Sequence, residues 1–444
     1  MTVTAALGSR QTLIGMGAGF TGYPSGPRNY SALPRATRLD MAKMLWGNEG
    51  LGFRVCRLWG NRAGSNTGAQ MLSAYKLLYE DINSVQPRMI WQYAAWGSPA
   101  RDGLDVYAAY HAQVIADCKA GGLAFQYVGT CNEPDADNLY APSQAAEVVK
   151  EFRAALDKRG LQKVGIVSPE CANVDRKGMS YIQNIKDDPT ALADLAGFDL
   201  HSYNMSFTPE YFDLSNVAGK ESWQDESAAN GPEGDNDAAL AAGSVARACN
   251  DFNFGCGVWM HFEAYLPYDP RDNATRIMGY DPTTGDHQPF LKYYYYKQLR
   301  RGFKDGCVFR SSTSDDARED RYRTMTLTHG DRPAIVGAAG KNVDGSWGMN
   351  VVNLTSAPDR RPGVSPGAAN YQPAATYKIT YHVGELENVG ALSFRLYRSS
   401  SAVRDADQGT VLMKGGDVAF TIAPLELVTL VSALATSTRP RSVK

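Results

Sequence analysis

Two glutamates stand where short apolar runs give way to polar sequence. Asn132-Glu133-Pro134 follows FQYVGTC, and Glu263 follows GVWMHF. Two carboxyl groups facing each other across a cleft can cleave a glycosidic bond. One protonates the leaving oxygen while the other attacks, or activates water, on the opposite face of the sugar. A lone glutamate after a strand is ordinarily a solvated surface group. Here Asn132 precedes one, and an aromatic-rich run carries the other. Glu170, in SPECAN, is a spare carboxylate in a similar position, able to bind substrate and the first alternative should one of the pair be misassigned. Trp59 and Trp96 follow two further apolar runs and offer flat faces on which sugars stack. His201 and His261 flank strand ends on the side of Glu263 and can hydrogen-bond sugar hydroxyls.

Those side chains need a scaffold that brings strand ends together. Apolar runs at 13–17, 52–58, 88–93, 124–128, 163–168, 197–201, 257–262 and 306–310 predict strands. Stretches such as 107–120, 142–158 and 237–250 carry apolar residues at three- and four-residue spacing and predict helices between them. Eight strands alternating with helices predict a parallel (β/α)8 barrel, the TIM barrel, with an open doubly wound sheet as its competitor. In the barrel, Glu133 ends the fourth strand and Glu263 the seventh. Catalytic groups of barrel enzymes sit at such C-terminal strand ends. The polar stretch SWQDESAANGPEGDNDAA reads as a loop inserted between the sixth and seventh strands. Past about residue 335 the texture turns to short alternating strands punctuated by Gly, Pro and Ser, which predicts an all-β sandwich. The expected division is 1–335 for the catalytic barrel, 336–437 for the sandwich bracing it, and 438–444 for a disordered tail.

With 444 residues, the chain has room for a barrel of about 250 residues and a second domain. A net charge of -2 leaves no basic excess for nucleic acid or an anionic membrane. No run is long and apolar enough to span a bilayer, and the first residues lack the basic head and apolar core of an export signal. A recloned or processed start would look the same, so the compartment stays unknown. The expected partner is a carbohydrate substrate, not nucleic acid or membrane, and the expected state is a monomer. The seven cysteines form no short ligand pair and read as small buried hydrophobes; with no HExxH among the six histidines, no metal and no organic cofactor are expected. Gly17-Ala18-Gly19-Phe20-Thr21-Gly22 matches a dinucleotide-binding pattern, but prolines and a further glycine follow where a helix would have to begin. A glycine-rich turn at a barrel mouth accounts for it better than an NAD(P)-dependent oxidoreductase does. Tyr293 to Tyr296 point around more than one helix face, some onto the barrel and some to solvent.

Asn132-Glu133 after the fourth strand, with Glu263 after the seventh, resembles clan A of the retaining glycoside hydrolases. The opening GMGAGF, the segment AAWGSPA, HSY after the sixth strand and the ending PLELVTLVS are most similar to glycoside hydrolase family 30. The resemblance implies a retaining β-glycosidase acting on an oligo- or polysaccharide by double displacement. It implies that Glu133 is the acid/base, Glu263 the nucleophile, and Asn132 a hydrogen-bond partner of the sugar 2-hydroxyl. It further implies that Tyr203 donates to the nucleophile and that Arg57 lies beside it, Arg54 being the rival because alternation puts the two on opposite faces. Arg57 would then lower the nucleophile's pKa, while Glu133 must sit higher to keep its proton. A catalytically inactive sugar-binding barrel, and a transglycosylase using the same glutamates, are the alternatives.

Overall fold

A computed structural model describes residues 1–20, 30–62, 67–203, 206–229, 231–234, 237–316, 333–356 and 373–433. The predicted tail 438–444, and Thr21 and Gly22 of the glycine motif, lie outside them. Among the described residues, eight parallel strands close into a barrel. In order they are Gly15–Phe20, Val55–Arg62, Ile90–Trp96, Tyr127–Gly129, Gly165–Cys171, Leu195–Leu200, Glu221–Gln224 and Cys256–His261. Helices cover the outside, one or more after each strand, from Arg35–Trp46 after the first to Leu291–Gly302 after the last. The fold is a TIM barrel followed by C-terminal β-sheets.

The strand count corrects the sequence reading at one place. Glu221–Gln224, overlapping the start of the stretch expected to be a loop, is the seventh barrel strand and pairs with Leu195–Leu200 and Cys256–His261. The run at 257–262 is therefore the eighth strand, hydrogen-bonded to the first. The run expected as the eighth, Val308–Arg310, pairs instead with Ile335–Lys341 in a six-stranded sheet. The cause is local. Glu-Ser-Trp-Gln carries one large apolar side chain in four residues, too short and too polar for an alternation signal.

Side-chain alternation then sorts the interior. Val55, Val167, Trp223, Val258 and Met260 form an apolar plug inside the barrel, with the Tyr127 ring 4.5 Å from that of Trp223 and tilted by 54°. Two residues further along their strands come Arg57 and Asp225, which extend the same inward rows toward the C-terminal mouth. Gly17 and Gly19 belong to the first strand and serve packing. A Cβ on Gly17 would stand 2.0 Å from the Val55 carbonyl oxygen, and one on Gly19 would stand 2.7 Å from that of Phe262.

The β-rich part draws on both ends of the chain, so the boundary expected at 335 does not separate it from the barrel. Thr2–Ala5 lies between Ser312–Ser314 and Tyr377–Val383 in a four-stranded sheet. Side chains of this sheet and the six-stranded one share a single apolar core, including Val3, Ile335, Trp347, Tyr381 and Leu430. The last barrel helix docks on it: Gln298 Nε2 donates to the carbonyls of Tyr397 and Leu427, and Tyr295 Oη to that of Leu425. In the tyrosine run, Tyr293, Tyr295 and Tyr296 are buried and Tyr294 is partly so. All seven cysteines are buried thiols.

Candidate active site

Arg57 organises the mouth. It is buried, projects inward from the second strand, and meets groups from three other strand ends. Its Nη2 donates to Asn132 Oδ1 at 2.8 Å and to Glu170 Oε1 at 3.0 Å. Its Nη1 donates to Glu226 Oε2, and its Nε makes a 2.8 Å ion-pair contact with Asp225 Oδ2. Arg54, the rival, faces the other way and donates to the Arg88 carbonyl. A guanidinium offers five donors in a fixed fork, which suits one cation holding several carboxylates in place.

His201, one residue past the sixth strand, is the second hub. Its Nδ1 lies 3.0 Å from Glu133 Oε1 and 3.9 Å from Glu226 Oε1, and its Nε2 lies 3.2 Å from Asp225 Oδ1. Tyr203 Oη donates to Glu226 Oε1 at 2.8 Å. Oxygens of Glu133 and Glu226 and a His201 nitrogen all lie within 4.8 Å of one another. The Glu133 side chain is 27% exposed and that of Glu226 only 4%. One carboxyl therefore faces the opening and the other the floor. With Asn132 Oδ1 engaged by Arg57, Nδ2 is the donor turned to other uses.

The backbone supports this placement. Glu133 and Glu170 adopt left-handed conformations, with φ of 49° and 60°. Non-glycine residues rarely adopt such conformations, and those that do cluster at functional sites. Glu133 N donates to the Glu170 carbonyl at 3.0 Å. Beyond Glu226, Ser227 accepts from Arg247, donates to the Ser202 carbonyl at 3.2 Å, and accepts through its own carbonyl from Phe262 N at 3.1 Å. These bonds tie the segment carrying Glu226 to its neighbours on both sides.

Five carboxyls, Glu133, Glu170, Asp199, Asp225 and Glu226, share two cations, so they cannot all be ionised together. Burial pushes Glu170 up to about 8. Burial, and then the Asp225 charge, push Asp199 well above the carboxylate range. Burial works against a charge on Asp225 as well, but Arg57 and His201 outweigh it and hold that carboxyl low. For His201, burial is likewise outweighed, by Glu226 and Asp225, and the imidazole is held protonated. Burial raises Glu226, opposed by His201 and Arg57; the His201 hydrogen bond overcomes burial at Glu133 and lowers it. These two directions oppose those implied by the family resemblance. The two carboxyls share His201 as a neighbour. Glu226 receives donors from Arg57 and Tyr203, and each favours its ionised form against the burial that raises it.

Glu263 is not part of this constellation. It begins a short strand after the eighth barrel strand, in register with Arg276, whose charge it supports. Phe262 turns toward Trp59 and Tyr203, with ring centroids at 6.0 and 6.4 Å, and strand alternation sends Glu263 to the opposite side. The expected position of Glu263 at the end of the seventh strand is thus corrected; Glu226 stands just past that end. His261 also turns outward, its Nδ1 3.0 Å from Tyr296 Oη on the last helix. Glu170 lies beneath the cleft, fully buried, accepting from Cys131 N at 3.0 Å. Trp59 and Trp96 do reach the mouth, 5.6 Å apart and tilted by 44°, and with Phe262 they make an aromatic wall. Sequence reasoning missed Asp225, Glu226 and Phe262. Trp-Gln-Asp-Glu just before a helical pattern was the available signal, since a barrel requires a strand there.

Glu133, His201 and Glu226 are close enough to ligate a cation. Arg57 donates to Glu226 and His201 contacts both carboxyls, and a metal would have to displace those partners.

No protein-family profile matches the chain, and no curated protein matches its sequence. Solved structures do match over nearly its whole length. The catalytic domain of the family 30 xylanase C from Talaromyces cellulolyticus is 16% identical with a TM-score of 0.69, covering 98% of this chain and 100% of that one. A family 30 endoxylanase from Clostridium papyrosolvens is 15% identical with a TM-score of 0.66, covering 97% and 100%. An endo-β1,6-glucanase is 16% identical with a TM-score of 0.65, covering 97% and 94%. At this identity the likeness establishes the fold.

Proposed function

We propose that the protein is a retaining β-glycosidase in which Glu133 is the acid/base and Glu226 the nucleophile. The observation that carries this reading is the approach of their oxygens to within 4.8 Å across His201. Retaining enzymes hold their carboxyl groups about 5–5.5 Å apart, whereas inverting enzymes leave roughly 6.5–9.5 Å for a water molecule. The structural likeness to family 30 xylanases and a β1,6-glucanase supports a β-linked oligo- or polysaccharide as substrate. The wall of Trp59, Trp96 and Phe262 supports the same class, because sugars stack on aromatic faces.

In the first step a Glu226 oxygen attacks the anomeric carbon, the bond to the leaving oxygen breaks, and Glu133 gives that oxygen its proton. Donors from Arg57 and Tyr203 aim Glu226 and favour its ionised form against burial. Asn132 Nδ2 donates to the sugar beside the reacting carbon. In the second step Glu133 takes a proton from water, the water oxygen attacks the anomeric carbon, and the ester to Glu226 breaks. The net reaction consumes one glycosidic bond and one water.

Incubation with a panel of 2-deoxy-2-fluoro β-glycosides bearing good leaving groups, disaccharides included, tests the reading by peptide-mapped mass spectrometry. A glycosyl ester on Glu226 is expected. An ester on Glu263 or Glu170 would overturn the assignment of the nucleophile. No ester and no hydrolysis across the panel would favour a sugar-binding barrel without turnover.

A further inference from the structure

Asp225 directly precedes the proposed nucleophile, yet it does not face the cleft. It is fully buried and reaches sideways to both hubs: Oδ2 toward Arg57 Nε at 2.8 Å, and Oδ1 toward His201 Nε2 at 3.2 Å. Gln92 Nε2 donates to its Oδ2 at 2.7 Å and to Asp199 Oδ2 at 3.1 Å. The opposite edge of the same imidazole meets Glu133 at 3.0 Å. A continuous chain of contacts therefore runs from Asp225 through His201 to Glu133.

We propose that Asp225 is a positioning residue which, through its 3.2 Å ion-pair contact with His201 Nε2, steadies the imidazole against Glu133 and governs how firmly Glu133 keeps its proton. The proposal rests on the reading of Glu133 as the acid/base. Its physical basis is that a histidine between two carboxylates donates through both nitrogens only while protonated, and that a second carboxylate on the far nitrogen favours that form. The charged groups facing the imidazole come from every neighbouring strand end: Glu133 and Asp135 from the fourth, Glu170 from the fifth, Asp199 from its own, Asp225 and Glu226 from the seventh, and Arg57 from the second. The acids outnumber Arg57, and the two acids nearest the ring, Glu133 and Asp225, are the ones contacting its nitrogens. While His201 is charged it draws protons away from Glu133, so the upper pH limit of turnover is set through Asp225.

The isosteric variant D225N tests this with two readouts. In the wild type, NMR of the 13C-labelled imidazole, assigned by loss of the signal in H201Q, is expected to show His201 protonated from pH 5 to 8. In D225N it is expected to titrate inside that window. The basic limb of kcat/KM is expected to move to higher pH by about one unit in D225N, because a neutral His201 no longer holds the Glu133 charge. Adding D225N to H201Q is expected to cause no further movement of the limb. D225E, which keeps the charge, is expected to behave as the wild type. A limb moving to lower pH would mean that Asp225 acts on Glu133 only through its own charge and would overturn the proposal. So would a fall in kcat with the limb unmoved, the mark of a merely structural residue. A wild-type His201 that loses its proton near 6.5 would overturn it without any variant. If no sugar yields turnover or an ester on Glu226, the functional reading fails, while the titration of His201 still reports on the grip of Asp225.

Discussion

Tyr203 Oη donates a 2.8 Å hydrogen bond to Oε1 of Glu226, although 23 residues separate them in the chain. They come from the ends of consecutive barrel strands, and that neighbourhood identifies Glu226, not Glu263, as the carboxylate held by the mouth. The hydrogen bond favours the ionised form of Glu226. Y203F is expected to lower kcat/KM about tenfold to a hundredfold, the range for a hydrogen bond to a charged group. The acidic limb of its pH profile is expected at higher pH, because Glu226 without the donor holds a proton more tightly. A pH-rate profile with an activated aryl glycoside checks both.

Glu226 and Glu263 differ sharply as mutational targets. E226Q is expected to lose more than about a thousandfold in kcat with the fold intact, as removal of a nucleophile does. E263Q removes a charge from a buried partner of Arg276, so its expected signature is a lower melting temperature with most of kcat retained. Circular dichroism and initial rates on both variants separate the two residues.

For Glu133 the test is the leaving group. E133Q cannot supply a proton, so glycosides with poor leaving groups are expected to slow by roughly 10²–10⁴-fold. A dinitrophenyl glycoside, which departs unaided, is expected to form the ester at close to the wild-type rate. The basic limb of the pH profile is expected to vanish in this variant.

Stability should fall as the solution becomes alkaline. Burial pushes Glu170 up to about 8, above its value in an unfolded chain, so between those two values the native state holds a proton that the unfolded chain has released. Stability attributable to this group is therefore complete below the unfolded pKa and is lost as pH rises toward about 8, by at most roughly 1.4 kcal/mol per pH unit. E170Q is expected to show a shallower decline between pH 5 and 8 by denaturant titration. An unchanged slope would count against a protonated Glu170.

The sequence carried the barrel because its long strands and helices obey local rules. FQYVGTCNEP, GIVSPEC and the helix repeats show apolar periodicity within windows of a few residues, and hydrophobic burial acts on those windows directly. Glu133, Asn132, Arg57, Tyr203 and His201 could be singled out because each stands beside such a run. Glu226 could not, since the strand before it, Glu221–Gln224, is only four residues long and owes its place to pairing with both neighbours. One missed strand shifted the count, and Glu263 took the role that the count assigned to it.

What the sequence by itself determined was the architecture and the place of Asn132, Glu133, Arg57, Tyr203 and His201 at barrel strand ends. Tertiary structure alone decided which second carboxylate faces Glu133, and that Asp225 and Glu170 lie against Arg57 rather than in the cleft. It also decided that His201 turns into the cluster while His261 turns onto Tyr296. The reason is geometric. Closure of the barrel sets which strand ends become neighbours and which face of each points inward, and both depend on pairing between segments far apart in the chain.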